Sequence, residues 1–287
     1  MSATDAVILA PIRPRRSKGA ARRWLTIARR QPLGVLGAVI IAAFVAIALA
    51  APWITPDDPR AFVGPRLQSP NSEYPLGTNN LGQDVLSRTI YGTQVSLAVG
   101  ITSVLLGTVI GSLLGLVGGY FGGWPDMLIQ RLNEIIQAFP NLVLLLVILA
   151  ALGRPHVTRD ANILQLVWEL RVIVIGIAII FIFASTRILR SAVIAERHAM
   201  YVDAARACGA GWLRIMFVHI LRNVTAYIII GVSITISLAI LIEATLSFLG
   251  YGVPPGTPSW GADLSGPNRQ FFLQAPWLVL APGGAIS

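Results

Sequence analysis

The 287-residue chain has a single cysteine, Cys208, and a single lysine, Lys18. One cysteine excludes an internal disulfide and any cysteine-rich metal site. With its lysine confined to a polar N-terminal stretch, the chain has no GxxxxGK[ST] loop. It therefore carries no P-loop, and any ATP that drives it binds elsewhere. Charge is scarce too: charged residues make up 12% of the chain, about half the share usual in soluble domains. No HExxH helix, no nucleophile elbow and no cluster of His, Cys or carboxylates occurs, so neither a catalytic residue nor a metal site is expected.

What is present is apolar. Hydrophobic residues reach 55% and the mean hydropathy is +0.70, which indicates an integral membrane protein. The net charge of +9 could suggest nucleic acid, but its distribution argues against that partner. Arg13, Arg15, Arg16, Lys18, Arg22, Arg23, Arg29 and Arg30 crowd the first 32 residues, and six more arginines lie between 187 and 223. Basic residues flanking spans on one side mark the cytoplasmic face, with anionic lipid as counter-charge.

Residues 1–32 read as a basic cytoplasmic segment, with an amphipathic helix over 22–30 turning Trp24 and Ile27 inward. Residues 33–51 form a run about long enough for a first span. The proline-rich stretch 52–93 reads as an extracytoplasmic loop. Residues 94–287 form a core of further spans. The second span, about 94–118, carries Gly107, Gly111, Gly115 and Gly119 four apart, a stripe that lets a neighbouring helix approach closely. In the third, about 126–152, Arg131 and Glu134 can pair and Pro140 kinks or interrupts the helix. A polar connection, 153–170, follows with His156 as a surface residue. The fourth span is placed at about 171–187 and the fifth at about 224–248. Glu243 lies within the fifth span and reads equally as a functional carboxylate or as one reaching interfacial water or a helix partner. Ala275-Pro276-Trp277 starts a sixth. The twelve residues from Pro276 to Ser287 reach about 18 Å, short of a core of about 30 Å, so this span is expected to be incomplete.

The basic stretch Arg187–Asn223 sits between two spans. Tyr201, Ala204, Ala205 and Cys208 share a helical face, Gly209-Ala210-Gly211 interrupts, and Trp212, Ile215, Met216 and Ile220 resume an apolar stripe. Two short amphipathic helices with a glycine elbow suit the docking of another protein.

Asp203-Ala204-Ala205, then Gly209, then His219-Ile220-Leu221 resembles the EAA signature of permease subunits of binding-protein-dependent ABC importers. Asp203 stands where that family has glutamate, and Arg222 where its subgroup has proline (HILPN). Without the proline, the second helix is free to continue towards the membrane. Tyr74 to Gly92 and on to Gly100 is similar to a segment of the peptide-permease C subunits (HPLGTDxxGRDVLSRLIYG), with Tyr74, Asn79 and Gln83 replacing His, Asp and Arg. Glu243 to Gly261 resembles a second segment of the same subunits (EAxLSFLGLGVxPPxPSWG).

The resemblance implies an all-α, six-helix permease of the type I ABC importer fold in the plasma membrane, with its N-terminus in the cytoplasm. It implies four kinds of neighbour: a homologous second permease, two ATP-binding subunits carrying ATP and Mg, an extracytoplasmic peptide-binding protein, and membrane lipid. The loop would then be the coupling helix, with Tyr201, Asp203, Ala204, Ala205, Gly209, Trp212, Arg214, Ile215, His219, Ile220 and Leu221 at the ATPase. Hydroxyls of the second and fifth spans, Ser103, Thr108, Ser112, Ser233 and Ser237, together with Glu243, are expected to line the pathway. The implied cargo is short peptides, with nickel or glutathione as alternatives by the same mechanism. A self-sufficient secondary transporter or channel is the rival class, and Glu243 is its one deep charge.

Overall fold

The computed structural model describes residues 32–153, 157–158, 163–254 and 256–287. The basic N-terminal segment and Arg154, His156, Arg159 and Asp160 lie outside them. The chain divides into two units, Met1–Ala46 and Ile47–Ser287. Among the described residues the structure is helical, with no strand beyond one isolated bridge between Thr78 and Asp84.

Helix α1 runs from Pro32 to Ile54, and its alternation-free apolar run accounts for it. After it comes a non-helical segment of residues 55–84, held by its own hydrogen bonds. Tyr74 OH donates to Val63 O at 2.8 Å, Thr78 Oγ1 to Pro65 O at 2.6 Å, and Val63 N to Gly82 O at 2.9 Å. Helix α2, Val85–Phe121, starts well before residue 94, where hydropathy places the span. The reason is local. Asp84 caps the helix, accepting from Ser87 N at 2.8 Å and Ser87 Oγ at 2.6 Å, so the polar first turns are helical although they read as loop.

The third span is two helices, α3 (Gly123–Gln137) and α4 (Asn141–Leu152), bent by 91° across Pro140. Proline removes a helix donor and disfavours helical backbone before it, and three residues of non-helical chain absorb the corner. Helix α5 (Ile163–Glu169) occupies part of what reads as a polar connection. Helix α6 runs from Arg171 to Glu196, past residue 187, and α7 from Met200 to Ala207. Helix α8, Trp212–Phe248, enters the membrane without a break, through a π-helical turn at Ile215–Ile220. With Arg222 where proline would remove a backbone donor, the loop's second helix and the fifth span are one rod. A four-residue helix α9 (Trp260–Asp263), a 3₁₀ turn (Gly266–Phe271) and α10 (Trp277–Ile286) complete the chain.

Four helices are long and apolar enough to cross a bilayer, and the bent α3–α4 pair would be a fifth. Helix α10 is a shorter apolar helix, so among the described residues four or five helices have the length of a full crossing. The core lies where α2, α4, α6 and α8 meet, on Val99, Leu145, Ile173, Ile177, Phe181 and Leu246. The glycine stripe of α2 lies against α6. A Cβ on Gly107 would stand 2.7 Å from Phe181 Cβ, one on Gly115 2.7 Å from Thr186 O, and one on Gly119 2.8 Å from Val193 Cβ. The backbones approach closely there because no side chain separates them.

Candidate functional site

The loop between α6 and α8 is built on a second apolar cluster. Val202 of α7 and Ile215, Met216 and Ile220 of the π-helical turn pack with Leu116, Leu189, Val193 and Val224. That packing leaves Asp203, Ala204, Arg206, Cys208, Gly209, Trp212 and Arg214 exposed in a row across the elbow. Gly209 has φ +79 with nothing within 4 Å of its would-be Cβ. The bend is therefore set by a backbone conformation that side-chained residues avoid, and the surface beside it is open. Trp212 packs edge-on against Phe121 of α2 at 5.5 Å, which ties the elbow to the neighbouring helix end. Tyr201 OH donates to Glu196 at 2.6 Å, and its phenol is raised above its usual value by burial first and by that bond second.

Two of the loop's arginines do structural work that a charge count does not reveal. Arg190 makes a two-pronged ion pair with Asp126 at the start of α3. Arg197 donates to Gly119 O at 3.0 Å, satisfying a carbonyl at the end of α2 where the helix dipole favours a cation. The expected pair Arg131–Glu134 is present at 2.7 Å and lies in solvent.

At the opposite end of the bundle a polar hub is buried. Arg88 Nε donates to Asp263 Oδ1 at 2.8 Å, and its NH1 donates to Pro59 O and Gln83 Oε1, each at 3.0 Å. Burial pushes the Asp263 carboxyl up, and the charge and N–H bonds of Arg88 oppose that rise. Asn79 Nδ2 donates to Gln83 Oε1 at 2.8 Å. The two neutral residues that replace a charged pair of the resembling segment thus keep a hydrogen-bonded link, and that link reaches Arg88. One helical stretch further in, Glu243 is fully buried. It accepts from Ser96 Oγ at 3.0 Å and Ser247 Oγ at 2.8 Å, with Ser259 as a third partner.

Residues 107–287 match the profile of the binding-protein-dependent transport system inner membrane component. The chain belongs to that family. Residues 22–79 also match the N-terminal transmembrane domain of oligopeptide transport permease C. Relatives of this permease include the dipeptide transport system permease protein DppC of Alkalihalophilus pseudofirmus, 39% identical over 260 residues, or 90% of this chain and 80% of that one. The di/tripeptide transport system permease protein DppC of Pseudomonas aeruginosa is 38% identical over 271 residues, 92% and 84% of the two chains. The glutathione transport system permease protein GsiD of Pectobacterium atrosepticum is 35% identical over 267 residues, 92% and 82%.

For this permease the residues expected at the loop divide by exposure. Asp203, Ala204, Gly209, Trp212 and Arg214 face outward, while Tyr201, Ala205, His219 and Leu221 are half-buried. Ile215 and Ile220 face inward and hold the loop's own core, because the apolar stripe of the second helix packs on α2 and α6. The residues expected along the pathway do not share one surface. Ser103, Thr108 and Ser112 are buried on α2, and Ser233 and Ser237 are exposed on α8. Glu243 presents no surface at all, since its carboxylate is taken up by hydroxyls of three segments. Sequence reasoning missed Arg88 and Asp263, although both lie in or beside the two segments of strongest resemblance. It also missed Ser185, Tyr227 and Gly231, which meet Thr108 and Ser112 at a small cavity and carry no motif.

Proposed function

We propose that this permease is the transmembrane subunit of an ATP-driven importer of short peptides, and that its α7–Gly209–α8 elbow receives the ATPase. The cargo reading rests on relatives named for dipeptide, di/tripeptide and glutathione transport, all peptides or built like them. The coupling reading rests on one observation above the others: the elbow's outward row (Asp203, Ala204, Gly209, Trp212, Arg214) is solvent-exposed while its inward row is packed. A partner seated on that row would push α8 directly, because α8 is continuous from the elbow through the membrane. Alternating access then follows as a rigid-body two-state change.

In this reading the N-terminal segment and the elbow face the cytoplasm, and residues 55–84 and 249–276 lie outside, where a peptide-binding protein delivers cargo. ATP and Mg belong to two partner subunits, and a homologous permease supplies the other half of the path. The chain itself is non-catalytic.

Replacing Gly209 by valine tests the coupling. A β-branched residue cannot hold φ near +79 without strain, yet no neighbouring atom blocks it, so the helices on either side should still form. In the reconstituted transporter, peptide uptake should fall at least tenfold relative to ATP hydrolysis. Uptake and hydrolysis that keep their wild-type ratio would remove the elbow from the mechanism.

A further inference from the structure

Hydroxyls in the long helices of this chain usually bond a carbonyl one turn back, the common solution for such groups in a membrane. Thr89 Oγ1 donates to Val85 O at 2.8 Å, Thr186 Oγ1 to Ile182 O at 2.7 Å, and Ser233 Oγ to Ile229 O at 2.9 Å. Thr108 departs from that habit. The residue is 6% exposed, and its Oγ1 is buried without a hydrogen-bond partner. It lines a cavity of about 20 Å³ where α2, α6 and α8 cross. Ser112, Ser185 and Tyr227 line the same cavity, so three helices contribute four hydroxyl-bearing residues to its wall. Gly231 forms part of the wall, and nothing lies within 4 Å of the position its Cβ would take.

A space of this size takes one water-sized polar group, which needs about 10–15 Å³. A hydroxyl both donates and accepts, so Thr108 Oγ1 can meet the N–H or the C=O of a peptide unit. No charged side chain lines the cavity, so it does not select for a charged residue or a terminus. Thr108 lies about 20 Å along α2 from its Phe121 end, within the depth of a hydrocarbon core of about 30 Å.

Resting on the peptide-import reading, we infer that this notch is a subsite of the transport path that takes the backbone amide groups of the passing peptide, with Thr108 as its binding residue. Backbone recognition of this kind tolerates many side chains. It also places the path on the open side of α8, next to Gly231, and not at the fully buried Glu243.

The test uses the whole transporter in proteoliposomes, with Gly231→Cys in a Cys208→Ser background whose own uptake is the reference. A charged, water-soluble maleimide should label the new thiol, and saturating dialanine should slow that labelling several-fold. Labelling by a lipid-dissolved maleimide alone, or labelling indifferent to peptide, overturns the subsite. Separately, Thr108→Val removes the hydroxyl and keeps the shape. It should raise the KM for dialanine by about 3- to 10-fold, the range of one lost hydrogen bond, with kcat little changed and with Thr108→Ser restoring it. An unchanged KM also overturns the subsite. If the unmodified transporter takes up no peptide, the import reading fails and the notch with it. Intact uptake with either adverse result sinks the notch alone.

Discussion

Where the bundle carries residues 55–84 and 249–276, charged and hydroxyl side chains are buried and joined to one another. Where it carries the α6–α8 elbow, Arg190 and Arg197 are tied to Asp126 and to Gly119 O, but Asp203 and Arg206 of α7 lie largely in solvent. Arg88 and Asp263 have side-chain exposures of 7% and 11%, against 47% and 66% for Arg206 and Asp203. Both are ion pairs by distance, but they differ in what surrounds them. A buried charge that loses its partner has no water to replace it, whereas an exposed one is already hydrated. One end of the molecule is therefore locked by long-range polar contacts among α2, α8 and α9. The other offers charged side chains that a partner can engage without first breaking an internal network.

Asp263→Ala should have the largest effect on stability, because it strands Arg88 in a buried site. The expected loss is about 3–5 kcal/mol, read as a fall in the melting temperature of the detergent-solubilised protein. The double substitution Arg88→Met with Asp263→Leu should recover much of it, since a well-packed apolar pair replaces a buried ion pair at little cost. If the single and double variants melt alike, the hub is held by its packing and not by its charges, and the contrast between the two ends collapses.

Between those ends, Gly115→Leu probes the α2–α6 contact. Thr186 O and Leu189 Cβ stand 2.7 and 3.1 Å from where a Cβ would be, so the helices must separate. Overpacking costs about 1–3 kcal/mol. Gly284→Ala on α10, with nothing within 4 Å, should stay within about 0.5 kcal/mol of wild type. Equal melting temperatures for the two variants would mean that the stripe is not a contact surface.

How much of this could be read from the sequence follows the range of each interaction. The glycine stripe was legible because a period of four is a local pattern with one common meaning in membranes. Pro140 as the breaking point of the third span was legible for the same reason. The start of α2 was not: Ser87, Arg88 and Thr89 lower the hydropathy of its first turns, and only the Asp84 cap reveals the helix. Glu243 could be given Ser247, four residues on along the same face, but not Ser96, 147 positions away. Arg88 and Asp263 are 175 apart, and no spacing rule reaches across that distance. At the elbow the apolar period was visible while its direction was not. Ile215 and Ile220 therefore read as docking residues until the packing of α2 and α6 turned them inward.

The smallest effect on stability should come from the elbow. Asp203 accepts from Arg206 at 3.1 Å, three residues along α7 and largely in solvent. Such pairs contribute about 0.2–1 kcal/mol and weaken with salt, so a double-mutant cycle over Asp203→Ala and Arg206→Ala should find a coupling in that range. The same substitutions should act differently on transport. If Asp203 is offered to an ATPase, Asp203→Ala should lower peptide uptake per ATP hydrolysed while the melting temperature barely moves. Asp203→Glu, which keeps the charge on a longer stem, should retain the coupling. A large loss of stability would show that this carboxylate is internally committed, like those at the far end. Coupling that survives both the alanine substitution and high salt would mean that the exposed charges of the elbow are solvated surface, leaving Gly209 and Trp212 to carry the contact.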